Sequence, residues 1–287
     1  MAEAKLGIIG GSGHYDLNGL TGVSEVNIDT PFGSPSDTIT LGTLAGVSLA
    51  FLPRHGRGHR IDSGEIPAKA NIYALKSLGV ERIVSISAVG SLQEEMRPLD
   101  AVIPDQIIDR TKNRPSTFFG NGIVGHIAFA DPYCPQLRGL MIKASQKHQP
   151  RTHSKGTLVV MEGPAFSTRA ESELYRSWDA HIIGMTALPE AKLAREAEIC
   201  YSTLAFVTDY DCWHESEESV SVELVIANLR KNVETSRRIL RDLVSFLPDV
   251  RNCTCGSALE NAIITAPDRI PAKLKQDLGL IIGKYLK

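Results

Sequence analysis

"VTDYDCW" (residues 207–213) closes an apolar run with two carboxylates, Asp209 and Asp211, separated by one residue. On a strand, alternate side chains share a face, so these two would lie on one side. Like charges at the end of a buried element are unfavourable unless something neutralises them or a reaction uses them. A second concentration of charge lies far away in the chain. "PRHGRGHR" places Arg54, His55, Arg57, His59 and Arg60 within seven residues, directly after the apolar run "VSLAFL". Arginine offers a planar fork matched to phosphate oxygens, and histidine adds a donor.

Three further stretches have a related character. "GGSG" (residues 10–13) follows "KLGII"; its glycines let backbone amides approach an anion, and Ser12 adds a hydroxyl. It is neither the G-x-G-x-x-G of dinucleotide sites nor a phosphate loop ending in G-K-[ST], which disfavours NAD and nucleoside triphosphates. "SISAVG" sets Ser87 and the Ala88 amide at the C-terminal end of a strand, where open α/β sheets hold ligands. In "GMTALPEAKLARE", Met185 and Thr186 precede a helix whose N-terminus favours anions. Each stretch alone reads equally well as a turn. Together they make an anion pocket assembled from separate loops, with carboxylates beside it.

The elements that must position these residues alternate along the chain. Strands are expected at "KLGII", at "DTITLG" and "VSLAFLP" joined through "TLAG", at "ERIVSISAVG", "DAVIPDQIID", "GTLVVMEG", "HIIGM" and "ICYSTLAFVT". Helices are expected at "PAKANIYALKSLG", over residues 135–149, and at "TRAESELYRSW", where Thr168 and Glu171 form a capping-box pattern. "LPEAKLAREAE", with Pro189 in its first turn, and the long "VSVELVIANLRKNVETSRRILRDLVSFL" follow, with two shorter helices in the tail broken by Pro267 and Pro271. Many strands are apolar on both faces, which predicts a central sheet covered by helices on both sides. No linker or composition break divides the chain, so a single domain over 1–287 is expected, with a helical tail from about 256 to 287.

Hydrophobic residues make up 43% and charged residues 22% of the 287, with a formal net charge of −2. That balance gives no basic excess for nucleic acid or an anionic membrane, so the charge that binds an anion must be local. No apolar run approaches the ~18 residues that span a bilayer, and "MAEAKLGIIGGSG" is no signal peptide, so a cytoplasmic protein is expected. Cys134, Cys200 and Cys212 stand singly and read as small buried side chains. Cys253 and Cys255 form a C-x-C pair whose spacing fits neither redox nor zinc C-x-x-C motifs. They read as inert surface residues, with a local disulfide or an adventitious metal as alternatives, and no metal site is expected.

"GIIGGSG", "TPFGSPSD", "RHGRGH", "MEGPAFSTRAES", "IGMTALPEAKLAREAEICY" and "TDYDCW", in this order over residues 5 to 265, resemble the trimeric purine nucleoside phosphorylase family, in its methylthioadenosine-cleaving branch. The resemblance implies a twisted mixed central sheet flanked by helices, a homotrimer with sites near subunit interfaces, and glycosidic cleavage by inorganic phosphate without metal or organic cofactor. By similarity, Ser12, Arg54, His55, Ser87, the Ala88 amide and Thr186 would hold phosphate. Met185 would pack on the ribose, and Phe166 and Ser167 would line the base pocket. His59, Val222, Val225 and Ile226, with His126 from a neighbouring subunit, would wall in a 5′-methylthio group. Asp209 and Asp211 would meet the purine edge, Asp209 at N7 and the amino group with Asp211 close behind.

The implied reaction is phosphorolysis of 5′-methylthioadenosine to adenine and 5-methylthioribose 1-phosphate, a purine and methionine salvage step. Two acceptor carboxylates favour a 6-amino purine over a 6-oxo one. Alternatives are a different preference (adenosine, methylthioinosine or inosine) and a non-catalytic purine nucleoside-binding relative. One departure bears on this choice: where the family carries Asn-Tyr before the helix after the basic loop, this chain has Pro67 and Ala68.

Overall fold

A computed structural model describes residues 3–14, 19–214 and 222–286, without the side chains of 222–226. In chain order the elements are β1 (Leu6–Gly10), β2 (Thr21–Val26), β3 (Ile39–Leu44), β4 (Val47–Pro53), α1 (Ala68–Ser77), β5 (Arg82–Ser91), β6 (Ala101–Val102), β7 (Gln106–Arg110) and α2 (Pro135–His148). There follow β8 (Thr152–His153), β9 (Thr157–Met161), α3 (Arg169–Ser177), β10 (Ile182–Gly184), α4 (Ala187–Glu196), β11 (Cys200–Asp209), α5 (Val222–Phe246), α6 (Ala272–Asp277) and α7 (Gly279–Ile282).

The strands join in one mixed sheet in the order β2-β3-β4-β1-β5-β10-β9-β7, with β11 paired to β5 and leading through β6 to β8. The centre is parallel: β4, β1, β5 and β11 run side by side in one direction. Their C-terminal ends therefore open on one edge, the place where such sheets gather ligands.

Strand periodicity explains the two-sided core. On β11, Tyr201, Ala205 and Val207 pack on one face, while Cys200, Leu204 and Phe206 pack on the other. On β5, Ile83 and Val89 face the first cluster, and Val84 and Ile86 the second. Helices α1 and α4 cover one face together, and α2 and α5 the other. The mixed central sheet flanked by helices is thus as expected. Among the described residues no helix is long and apolar enough to cross a membrane.

Three local readings are corrected. "DAVIPDQIID" is two strands, because Pro104 has no N–H to continue a ladder. β6 pairs with β11 and β8, whereas β7 pairs with β9. β2 is an additional, exposed strand that the sequence pattern did not disclose. The tail is more broken than two helices, since Pro267 starts a short 3-10 turn before α6 and α7. The capping box at Thr168 and Glu171 forms as read, with both reciprocal bonds present.

Candidate active site

At the open edge lies a cavity of about 490 Å³. Ser12, Arg54, His55, His59, Ser87, Ala88, Phe166, Met185, Thr186, Asp209 and Asp211 all line it. Ser167 stands just behind the wall, its backbone carbonyl accepting from the Cys212 thiol. His126 is exposed and does not line this cavity. The side chains of Val222, Val225 and Ile226 lie outside the described residues.

The turn after β1 approaches the neighbouring strands closely. A Cβ at Gly11 would come within 2.4 Å of the Ile86 carbonyl oxygen and 3.1 Å of Arg54 Nη1, so only glycine fits between β5 and the guanidinium. Arg54 is almost fully buried at the end of β4. Its Nε donates to Glu190 Oε1 at 2.5 Å and Nη2 to Glu190 Oε2 at 3.1 Å. Nη2 also reaches Ser85 Oγ at 2.6 Å, and Nη1 the Ile86 carbonyl at 3.0 Å. Burial alone would lower the guanidinium's pKa, but the Glu190 charge and hydrogen bonding, with Tyr201, together offset this and leave it raised. Guanidinium has five N–H donors. Four are spent on protein, so the fork is clamped and one Nη1 hydrogen is left for the cavity.

Glu190 was not among the sequence candidates. It is buried, and it also accepts from Ser85 Oγ at 3.1 Å and from the Tyr201 hydroxyl at 3.0 Å. The positive charge of Arg54 is therefore balanced before any anion arrives, which leaves hydrogen-bond donors to define the oxyanion subsite. Ser87 Oγ and Thr186 Oγ1 face each other at 3.4 Å. Thr186 occupies the N-cap of α4 yet makes no side-chain cap bond, so its hydroxyl is directed to Ser87 rather than to its own helix.

His55 plays a different part from the one expected. Burial, then the Arg54 charge, lowers its pKa to about 4, so the ring is neutral at pH 7. Its Nδ1 lies 2.9 Å from the Ile61 carbonyl, an acceptor only, so the proton sits on Nδ1. Nε2 is then an acceptor, suited to the P–OH of a protonated phosphate rather than to a bare oxygen. His59, held at φ 54°, stacks on His55 with ring centroids 4.4 Å apart.

β11, the strand beside β5, ends at Asp209, and Asp211 lies beyond the strand at φ 54°. The strand rule therefore does not place the pair; a turn does. Asp209 Oδ1 accepts the Asp211 N–H at 2.9 Å, and Oδ2 accepts the Thr208 hydroxyl at 2.7 Å. Gly90 makes room, since a Cβ there would sit 3.0 Å from Asp209 Oδ1. Burial raises the pKa of Asp211, partly opposed by the hydroxyls of Ser172 and Ser167. The Glu171 carboxylate nearby adds to the rise. Asp211 Oδ2 is buried with no hydrogen-bond partner among the described residues.

Arg114, also unforeseen, is buried close to the segment that carries Met185. Nη1 donates to the Met185 carbonyl at 2.5 Å and the Leu188 carbonyl at 3.0 Å, and Nη2 to the Glu162 carbonyl. It ties the segment carrying Met185 to the end of β9. Pro67 and Ala68 border a separate cavity of about 230 Å³ with Phe32, Ile66 and Arg114.

A cavity that combines an amide-rich turn, a clamped arginine and a carboxylate pair at the C-terminal edge of a mixed sheet matches a known class. Residues 5–245 match the phosphorylase superfamily, and the chain belongs to that family. The chain is 56% identical over 283 residues to the S-methyl-5′-thioadenosine phosphorylase of Koribacter versatilis, covering 99% of this chain and 97% of that protein. It is 55% identical to the one of Geobacter sulfurreducens, covering 99% of this chain and all of the relative. Among solved structures, a methylthioadenosine phosphorylase from an Antarctic soil metagenomic library superposes with a TM-score of 0.92 at 50% identity, covering 98% of this chain and 99% of that one. The methylthioadenosine phosphorylase of Schistosoma mansoni in complex with adenine gives 0.84 at 35% identity, covering 98% of both chains.

The cysteines require a further correction. Cys255 is buried rather than on the surface, and the C-x-C pair has partners after all. Cys134, Cys200, Cys253 and Cys255 bring their sulfur atoms together at the far end of β11, while Cys212 stands apart.

Proposed function

We propose that this protein is an S-methyl-5′-thioadenosine phosphorylase, which uses inorganic phosphate to split the nucleoside into adenine and 5-methylthioribose 1-phosphate. One observation carries this reading: a single cavity is lined both by Ser87, Thr186, His55 and Arg54 and by Asp209 and Asp211. The relatives named above, at 55 to 56% identity over nearly the whole chain, support it. The whole chain is read as one phosphorylase domain, cytoplasmic, with residues 256–287 as its helical tail.

In this reading phosphate lies among Ser12, Ser87, the Ala88 amide and Thr186, and its P–OH donates a hydrogen bond to His55 Nε2. The remaining Arg54 N–H takes a second oxygen. Met185 packs on the ribose, Phe166 and Ser167 flank the base, and His59 faces the 5′ substituent. The bond from C1′ to N9 of the purine breaks, and its electrons leave with the base. A phosphate oxygen then forms the new bond to C1′. Because phosphate is already in line, the cationic sugar is stabilised and captured by the same group.

The departing purine must gain a proton at N7. Asp209 meets N7 and the amino group, and Asp211 behind it retains a proton to higher pH because it is buried. Phosphate serves as co-substrate, and no organic cofactor enters these steps. A homotrimer belongs to the same reading, in which His126, exposed and outside its own chain's cavity, would contribute to a neighbour's. Incubation with 5′-methylthioadenosine should release adenine only when phosphate is present. Release that ignores phosphate would assign a hydrolase, and tight binding without release a non-catalytic relative.

A further inference from the structure

The four sulfurs at the N-terminal end of β11 play no part in the chemistry above. Cys134 is the N-cap of α2, Cys200 begins β11, and Cys253 and Cys255 flank Thr254 at the turn that follows α5. Three segments far apart in the chain thus contribute to one point. All four sulfur atoms lie within 4.8 Å of one another, and those of Cys200 and Cys253 are 3.4 Å apart. All four cysteines are free thiols.

Tetrahedral tetrathiolate zinc has Zn–S distances of about 2.3 Å, which sets its sulfur–sulfur edges at about 3.8 Å. The cluster needs only small side-chain adjustments to reach that figure. Disulfides would join these sulfurs in pairs and would not require all four to converge on one centre. The surroundings suit a closed site. Cys134, Cys200 and Cys255 are buried in the core cluster that holds Leu137, Met141 and Leu204, and Cys253 remains half-buried as a route of entry. The Leu137 N–H at the start of the 14-residue α2 already donates to Cys134 Sγ at 3.4 Å, as a bound thiolate requires.

We propose that Cys134, Cys200, Cys253 and Cys255 form a structural zinc site that fastens the segment after α5 to the start of β11 and to α2. Four thiolates fill the coordination sphere, so the site has no open position for catalysis. Binding replaces the four thiol protons with one Zn²⁺, releasing the protons to solvent, and involves no oxidation or reduction.

The test uses the full chain, purified under reducing conditions from zinc-supplemented cells. Elemental analysis should find about one zinc per chain, and the Cys253→Ser/Cys255→Ser double variant should lose it more than tenfold. Should that variant not fold, the wild-type chain stripped by a chelator replaces it. Adding Co²⁺ should then produce the charge-transfer and visible bands of a tetrahedral thiolate site and raise the melting midpoint, with protons released in step. Two results would overturn the proposal. One is metal-free protein whose four thiols react freely once unfolded and which ignores Co²⁺. The other is a mass lower by the hydrogens of two disulfides. The phosphorolysis assay is independent of every one of these outcomes.

Discussion

Strand β11 carries reactive side chains at each end, about 30 Å apart over ten residues, and the two ends are built on opposite plans. At Asp209 the polar groups stand around an open volume, with capacity left unspent: Asp211 Oδ2, one Arg54 N–H, and one O–H of the Ser87–Thr186 pair. At Cys200 four sulfurs converge on one point, within 4.8 Å of one another. A site for a substrate must keep room and unspent donors, and must fix them beforehand. Glu190 does this for Arg54 by taking two of its N–H groups, while Ser85 and the Ile86 carbonyl take two more. A structural site satisfies itself. The strand that joins them is buried along its whole length, which keeps both ends in register with the sheet.

The sharpest way to break this contrast is at Asp209. Asp209→Asn removes the group that the proposed reaction sets at N7, and general acid catalysis is worth about 10²–10⁴-fold. kcat/KM for 5′-methylthioadenosine should fall by that order, and by much less for inosine-type substrates, whose 6-oxo group an amide can serve. Equal losses measured on both would remove the assignment. Next comes Glu190→Gln, which leaves the buried Arg54 charge without its partner. Breaking a buried pair costs about 3–5 kcal/mol, so urea melts should show a loss of that order, with the KM for phosphate rising more than that for the nucleoside. A normal phosphate KM in a stable variant would mean that Arg54 does not serve the oxyanion.

Much of the open end was legible because its residues come in contiguous motifs at strand termini. Ser12, Arg54, His55, Ser87, Thr186, Asp209 and Asp211 all reach one cavity from stretches that already looked chemical. Glu190 was missed because "PEAKLARE" reads as a helix with a solvated charged face. Its signal was positional: Leu193, Ala194 and Ala197, three, four and seven residues on, are buried, so Glu190 stands on the apolar face. Arg114 gave no such signal, lying in an irregular segment whose carbonyl partners belong to other elements. The closed end was illegible for a similar reason. Cys134, Cys200 and the C-x-C pair are separated by more than fifty residues at each step, and the packing of α2 and α5 on β11 and on each other brings them together.

Acid sharpens the contrast further, through His55. The unfolded chain takes up its imidazole proton near pH 6.5, whereas the folded chain resists until about pH 4. A lowered folded pKa means that stability is unaffected above pH 6.5 and falls as the pH drops from there towards 4. The full loss is about 3 kcal/mol. Urea melts from pH 7 to 4 should show it, and His55→Gln should flatten the slope between pH 6.5 and 4. An unchanged slope would place the acid sensitivity elsewhere.

The smallest expected effect tests whether the open end holds phosphate by hydrogen bonds rather than by net charge. Ser87 and Thr186 face each other across 3.4 Å, a gap that one phosphate oxygen can accept from on both sides. Ser87→Ala deletes one such donor. A hydrogen bond to a charged group contributes about 1.5–3 kcal/mol, and the gap leaves room for water to replace part of it. The KM for phosphate should therefore rise by about tenfold, roughly 1.4 kcal/mol, with the nucleoside KM and the melting midpoint nearly unchanged. Arg54 is already neutralised by Glu190, so raising the salt concentration should weaken phosphate binding only slightly in both proteins. A steep salt dependence with no effect of Ser87→Ala would mean that long-range charge, and not the facing hydroxyls, draws the oxyanion in.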